Sequence, residues 1–98
     1  MPDSEMEKIV QNNSRQVTAQ VRLRYLENKK SMEESDAAKE ALDYANRNIC
    51  GDIAYMVLLA RLSLRELFEE DPAMLTKDDH DMMRDVEDLA VYVKILGF

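Results

Sequence analysis

The chain has 98 residues, which is enough for one domain with a single hydrophobic core and too few for two. Hydrophobic residues make up 46% and charged residues 34%, with two glycines and two prolines, so the composition excludes disorder and disfavours a many-stranded β fold. The formal net charge of −7 argues against general binding to nucleic acid or to anionic membranes, because both need a basic surface. We therefore expect one all-α domain over residues 1–98.

The cysteine content and the first residues of the chain predict a reducing environment. Cys50 is the single cysteine and cannot form a disulfide within the chain. The sequence does not open with a charged segment followed by an apolar stretch, as a secretory signal does. We expect a cytoplasmic protein.

The first predicted helix runs from about Glu5 to Lys30 and begins at a capping box formed by Ser4 and Glu7. One face of this helix is apolar, and a second apolar strip lies nearly opposite it. The first face holds Met6, Val10, Val17, Val21 and Tyr25, and the strip holds Ala19, Leu23 and Leu26. Residues 17–25 also alternate apolar and polar side chains, as a half-buried strand does. The helix is favoured, because a lone strand would have no partner within the chain.

The second predicted helix is long and contains the most apolar stretch of the chain, Ile53 to Phe68. A capping box of Ser31 and Glu34 predicts its start near residue 32. Two apolar stripes lie on different faces of the central stretch, so two faces need to be covered. One stripe is Ile53, Met56, Ala60, Leu64, Leu67 and Phe68, and the other is Tyr55, Leu58, Leu59 and Leu62.

The backbone conformation at Gly51 determines whether this central helix is continuous. The apolar stripe from Ala38 to Leu67 keeps helical phase through Gly51, which predicts helix on both sides with at most a local bend. An unbroken helix over residues 32–70 would be about 60 Å long, about twice the width of a domain of this size. Either the helix kinks at residues 50–52, with Asp52 as a new N-cap, or the fold is elongated and shared between chains.

A proline ends this helix and a last helix completes the fold. Pro72 disfavours helical geometry at Asp71 and cannot continue the hydrogen-bond ladder. A capping box of Thr76 and Asp79 predicts a helix from about Lys77 to Leu96, with Gly97 as its stop. The predicted fold is an all-α bundle of three helices, or four if the central helix kinks at Gly51.

Charge is distributed unevenly along the chain. Residues 11–30 carry five cations and one acid, whereas residues 66–88 carry ten acids and two cations. This polarity suits antiparallel packing of the two ends or attraction of a basic partner. An acidic half of this kind also suits a protein that imitates the phosphate backbone of nucleic acid and blocks a nucleic-acid enzyme.

Four carboxylates form two pairs at i, i+3 spacing, Glu66 with Glu69 and Asp85 with Asp88. Together with residues 86–92 this pattern resembles the all-α nucleotide pyrophosphohydrolases of the MazG and dimeric dUTPase type. The resemblance implies a helical bundle that holds magnesium against nucleotide phosphates, and carboxylate oxygens are ligands that magnesium accepts. Asp85 stands where that family has glutamate, and the adjoining chain lacks a cluster of lysine, arginine or asparagine for the nucleotide. A solvated acidic face is the usual explanation of such spacing.

Protein contact is the function that the sequence favours over catalysis. Three helices cannot cover two apolar faces on both of the first two helices, so the strip of Ala19, Leu23 and Leu26 is left open. A homodimer would cover it, with Arg22 and Arg24 pairing with acids of the second chain. We expect a small acidic inhibitor, adaptor or chaperone-like protein that needs no cofactor and does not bind nucleic acid or membranes directly.

Overall fold

A computed structural model describes the backbone of residues 2–98 and the side chains of residues 4–98. Over this range the protein is helical and contains no strand, which confirms the all-α prediction and assigns residues 17–25 to a helix. The molecule measures 43 × 30 × 19 Å along its principal axes. The elements in order are α1 (Pro2–Asn28), α2 (Glu34–Asn48), α3 (Ile53–Glu70), a short 3₁₀ helix (Pro72–Met74) and α4 (Lys77–Ile95).

The predicted long central helix is two helices, α2 and α3. Residues 49–52 separate them, and Asp52 is the N-cap of α3, where its Oδ1 accepts a hydrogen bond from the Tyr55 amide at 3.2 Å. Asn46 Oδ1 accepts a second hydrogen bond from the Ile53 amide at 3.1 Å. These side chains satisfy amides that the start of a new helix leaves without backbone partners. The prediction of at most a local bend at Gly51 is therefore wrong, and the alternative with Asp52 as a new N-cap is confirmed.

Both α2 and α3 run antiparallel to α1, and they lie along different halves of it. Along the C-terminal half of α1, the Arg24 guanidinium meets Glu40, and the Asn28 side-chain amide donates to the Ala37 carbonyl at 3.2 Å. Towards the other end, the Thr18 hydroxyl donates to the Met56 carbonyl at 3.3 Å, and Arg15 donates to the Ser63 hydroxyl. Because α2 and α3 follow one another along α1, the apolar stripe keeps its phase although the helix breaks.

The last helix, α4, is antiparallel to α3 and parallel to α1. Arg61 and Arg65 of α3 both bind Glu87 at 2.9 Å, and the Phe68 ring stands edge-on to His80 with 5.4 Å between ring centroids. On its other side α4 meets α1 through Arg22 with Asp85 and through Tyr25 with Tyr92. Within residues 2–98, no helix combines the length and apolar character needed to cross a membrane.

The hydrophobic core lies where all four helices meet, beside the C-terminal half of α1. Alanines on α2 form much of it, and their small side chains allow the helices to approach closely. The N-terminal half of α1 extends beyond this core and is largely exposed from Ser4 to Gln16, with Ser14 as the buried exception. The core side chains are Val17, Val21, Tyr25, Ala37, Ala38, Ala41, Leu42, Ala45, Ile53, Val57, Leu89, Ala90 and Val93.

The observed helix starts can be compared with the three predicted capping boxes. Thr76 and Asp79 form the predicted capping box, with the Asp79 carboxylate accepting from the Thr76 amide at 2.8 Å and the Thr76 hydroxyl accepting from the Asp79 amide at 3.2 Å. The box of Ser31 and Glu34 does not form, because α2 begins after Glu33 and that N-cap makes no side-chain hydrogen bond. Ser4 lies inside α1, which begins at Pro2, so that predicted start is also wrong.

Gly97 ends α4 as the sequence predicts. Its φ of 76° lies in the left-handed region, where a side chain is disfavoured. The Gly97 amide donates to the Lys94 carbonyl at 3.4 Å, and the Phe98 amide donates to the Val93 carbonyl at 3.0 Å. These two bonds form a Schellman motif, and the Phe98 side chain packs against the core.

Candidate interaction surfaces

The predicted strip of Ala19, Leu23 and Leu26 lies on the outer side of α1, and we call it the α1 strip. Leu23 is 64% exposed, whereas Ala19 and Leu26 are half-buried. Leu26 also packs against the edge of the core. The α1 strip is therefore narrower than the sequence predicts, and Leu23 is its exposed centre.

Arg22 and Arg24 flank Leu23 and find acidic partners within the same chain. Arg22 Nε donates to Asp85 Oδ2 at 2.6 Å. Arg24 donates hydrogen bonds to both carboxylate oxygens of Glu40, from Nε at 2.7 Å and from Nη2 at 2.9 Å. Its guanidinium also lies 3.6 Å from the centre of the Tyr44 ring. The hydrogen bond from Arg24 lowers the pKa of Glu40, and a further bond from Asn28 adds to the effect. The pairs that the sequence assigned to a second chain are thus formed inside one chain.

The carboxylate quartet of Glu66, Glu69, Asp85 and Asp88 is not assembled. Glu66 and Glu69 are exposed on α3, whereas Asp85 is buried and faces α1, where Arg22 binds it. The carboxylate of α4 that faces α3 is Glu87. In the part of the chain that the structure describes, no three histidine, cysteine, aspartate or glutamate side chains are grouped to hold a metal ion.

The pKa values on α4 follow from these positions. Burial raises the pKa of Asp88, and the nearby charges of Glu34 and Asp85 raise it further. Burial also acts to raise the pKa of Glu87, but the hydrogen bonds and charges of Arg61 and Arg65 outweigh it and leave that pKa below its usual range. Glu87 and Asp88 are adjacent in sequence, but Glu87 pairs with arginines of α3 whereas Asp88 lies near the acidic side chains of Glu34 and Asp85.

A groove with both apolar and polar lining runs between the N-terminal half of α1 and the outer face of α3. It is a depression of about 470 Å³ lined by Met6, Glu7, Val10, Gln11, Tyr55, Leu59 and Glu66, and we call it the α1–α3 groove. Met6 is 64% and Tyr55 is 54% exposed. A second depression of about 410 Å³ adjoins it, shares Val10, and is lined by Ile9, Asn12, Asn13, Gln16 and Met56.

The sequence predicts only one wall of this groove. It predicts that the second apolar stripe of the central stretch, which includes Tyr55 and Leu59, needs to be covered. It places Met6 and Val10 on the face of α1 that packs within the chain, but the core ends before it reaches them. The signal that could have found the other wall is the length of α1, since 27 residues outrun the 15 residues of α2 beside it.

A polar cleft of about 310 Å³ adjoins the α1–α3 groove and shares Gln11 and Glu66 with it. At this cleft Arg15 donates to the Ser63 hydroxyl and to the Asn12 side-chain carbonyl. Lys8 and Glu70 also line it. Glu66 therefore lies at the border between the groove and the polar cleft.

The geometry defines a small all-α bundle whose exposed surfaces include the α1 strip and the α1–α3 groove. The sequence matches no protein-family model, and no curated protein or solved structure is significantly similar to it.

Proposed function

We propose that this chain is a non-catalytic protein-interaction module, a small acidic helical inhibitor, adaptor or chaperone-like protein that acts as a homodimer. The observation that carries the proposal is the 64% exposure of Leu23 at the centre of the α1 strip. The core closes around Val21 and Tyr25 on the opposite side of α1 and does not use Leu23. Leu23 is flanked on this side of α1 by the half-buried Ala19 and Leu26, and a contiguous apolar strip at the surface of a small protein favours contact with another protein.

A two-fold dimer through the α1 strip is the simplest form of this contact. In such a dimer the same strip of both chains meets, so Leu23 packs beside Leu23 of the second copy. Because Arg22 and Arg24 are held by Asp85 and Glu40, apolar packing and not new ion pairs supplies the attraction. Burial of one leucine side chain contributes about 1.5–3 kcal/mol per chain.

Light scattering of three forms of the protein tests the dimer. We expect the wild type at micromolar concentration to have the mass of a dimer and Leu23→Asp to have the mass of a monomer, with helical circular dichroism retained in both. Gln20→Asp is the matched control, because Gln20 is exposed on the same helix and outside the α1 strip. A monomeric wild type, or a dimeric Leu23→Asp, would contradict the homodimer.

The non-catalytic part of the proposal is supported by the positions of the carboxylates. Asp85 is occupied by Arg22, and Glu66 and Glu69 project from another helix to solvent. We expect no magnesium-dependent release of pyrophosphate from a panel of nucleoside triphosphates. Turnover that is abolished by Glu69→Gln or by Asp88→Asn would establish the enzyme instead.

A further inference from the structure

We propose that the α1–α3 groove binds an amphipathic helix of a partner protein that carries lysine or arginine beside its apolar face. The inference rests on the proposed function as an interaction module and specifies the chemistry of the partner. Three features of the groove support it: its continuity with a surface that α2 covers, its shape and its charge.

The groove continues a stripe that this chain already covers with a helix. Met6, Val10, Val17 and Val21 lie along one side of α1, and exposure falls along that line from 64% and 36% to 8% and 1%. α2 covers the Val21 end of this line, because Gln20 and Val21 line a depression together with Ala41, Ala45 and Asn48 of α2. Towards the N-terminus α3 lies along α1, but it leaves Met6 and Val10 exposed at the edge of the groove. A helix laid in the groove would cover both.

The shape of the groove fits a helix of about three turns. The distance along α1 from Met6 to Val17 is about 16 Å at about 1.5 Å per residue. Two antiparallel helices, α1 and α3, form the walls, and the two adjoining depressions meet at Val10. Docking of an apolar helix face into such a groove through side chains at i, i+3 or i+4, and i+7 is a common mode of peptide recognition.

The charge of the groove selects a basic helix. Glu7 and Glu66 both line it, and neither forms an ion pair with any residue that the structure describes. The nearest cation along α1, Lys8, does not line the groove but lines the adjoining polar cleft, which Glu66 also borders. Two unpaired carboxylates at the border of an apolar surface attract lysine or arginine and repel acidic side chains.

The same two carboxylates disfavour a second copy of this chain as the occupant. A two-fold contact through the groove would bring Glu7 and Glu66 of both copies to the same small interface. Like charges across an interface oppose association. The groove and the α1 strip are therefore separate surfaces, one for a basic partner and one for the second copy.

The test uses two fluorescent model peptides of about 15 residues, near the shortest length at which an isolated helix is stable in water. Both carry leucine at i, i+3, i+4 and i+7, and one has lysine and the other glutamate at the flanking positions. By fluorescence anisotropy we expect the 98-residue chain to bind the lysine peptide about tenfold more tightly than the glutamate peptide. Absence of binding, or a preference for the glutamate peptide, would overturn the inference.

Variants of exposed residues locate the binding site. We expect Met6→Gln with Tyr55→Gln to weaken binding of the lysine peptide about tenfold, since both substitutions remove apolar surface and preserve charge. Glu66→Lys should reduce the preference for the lysine peptide, whereas Glu69→Lys, the same change outside the groove lining, should reduce it less. Equal effects of the two lysine substitutions, or wild-type affinity in the glutamine variant, would contradict a site in this groove.

Light scattering of the glutamine variant distinguishes this inference from the proposed homodimer. If the groove binds a separate partner, the variant keeps the mass of the wild type and loses only peptide binding. If the wild type is a dimer that the glutamine variant converts to monomer while Leu23→Asp does not, the groove holds a second copy and the inference is wrong. A dimer lost in Leu23→Asp with peptide binding retained would support both surfaces.

Discussion

Arg22 Nε donates a hydrogen bond to Asp85 Oδ2 at 2.6 Å, and the Asp85 side chain is only 3% exposed. The bond joins α1 to α4 across 63 residues of sequence. Arg84 also lies 3.6 Å from the other carboxylate oxygen of Asp85. A buried carboxylate with these partners holds α4 in register beside α1, and it explains why Asp85 is not available to bind a metal ion.

Loss of the Asp85 charge should destabilise the fold. We expect Asp85→Asn to lower the free energy of unfolding by about 2 kcal/mol, measured by denaturant titration. Breaking a fully buried ion pair costs about 3–5 kcal/mol, and the smaller value follows because the Arg22 side chain is 23% exposed and can be hydrated. Asp81→Asn is the control, since its partners Lys77 and Arg84 are 88% and 67% exposed and a change within about 0.5 kcal/mol is expected. Equal effects of both substitutions would contradict this account.

Tyr25 should make the protein less stable at alkaline pH. Burial raises the pKa of this fully buried tyrosine, and the hydrogen bond from its hydroxyl to Glu34 Oε1 at 2.8 Å raises it further. The folded state therefore keeps the phenolic proton at pH values where the unfolded chain, with its ordinary pKa of 10.0, has lost it. The stability that the proton contributes is complete below about pH 10 and decreases as the pH rises further.

Denaturant titration at about pH 9 and about pH 11 measures this dependence. We expect the free energy of unfolding to decrease over this interval and Tyr25→Phe to reduce the decrease. Part of it should remain, because burial also raises the pKa of Tyr92. Tyr44→Phe, which removes a hydroxyl from a ring that is 40% exposed, is the control and should reduce the decrease less than Tyr25→Phe does. A wild-type pH dependence in Tyr25→Phe would show that another group is responsible.

The two glycines should respond in opposite ways to alanine. Gly51 has no positive φ, and a Cβ atom added there would meet nothing within 4 Å, so Gly51→Ala should be neutral or stabilise by up to about 1 kcal/mol through the unfolded state. Gly97 also has free space around it but lies at φ 76°, so Gly97→Ala should destabilise by about 1–2 kcal/mol. Thermal unfolding of both variants tests the contrast. A clear loss at Gly51 would indicate a backbone constraint in the connection between α2 and α3.

Periodicity and local capping chemistry explain which parts of the fold were predictable. Three signals that act within one turn of chain are confirmed. The capping box at Thr76 begins α4, Pro72 follows the end of α3, and Gly97 follows the end of α4. The box at Ser31 does not form, because α2 begins after Glu33. Glu34, the acid of that predicted box, instead accepts a hydrogen bond from the hydroxyl of Tyr25 on α1.

Two features depended on the arrangement of helices and could not be predicted from periodicity. The apolar stripe gave no sign of the break between α2 and α3, because both helices present the same phase to α1 and differ only in the side-chain caps of Asn46 and Asp52. Similarly, spacing placed Asp85 and Asp88 together but could not show that this face of α4 lies against α1 while Glu87 faces α3. A pattern identifies a helix face but does not identify its neighbour.

Arg24 and Leu23 are adjacent in sequence and should separate stability from association. The Arg24 guanidinium donates to both carboxylate oxygens of Glu40 and stacks on the Tyr44 ring. A lysine at this position keeps the positive charge but cannot make the paired hydrogen bonds or the planar stacking contact. We expect Arg24→Lys to lower the free energy of unfolding by less than Asp85→Asn does, because the pair is partly exposed. Its mass by light scattering should equal that of the wild type, since the guanidinium is bound within its own chain, whereas Leu23→Asp should change the mass and keep the helical content. A monomeric mass for Arg24→Lys beside a dimeric wild type would contradict this account. It would show that Arg24 binds a second copy in solution and that Glu40 of its own chain is not its principal contact.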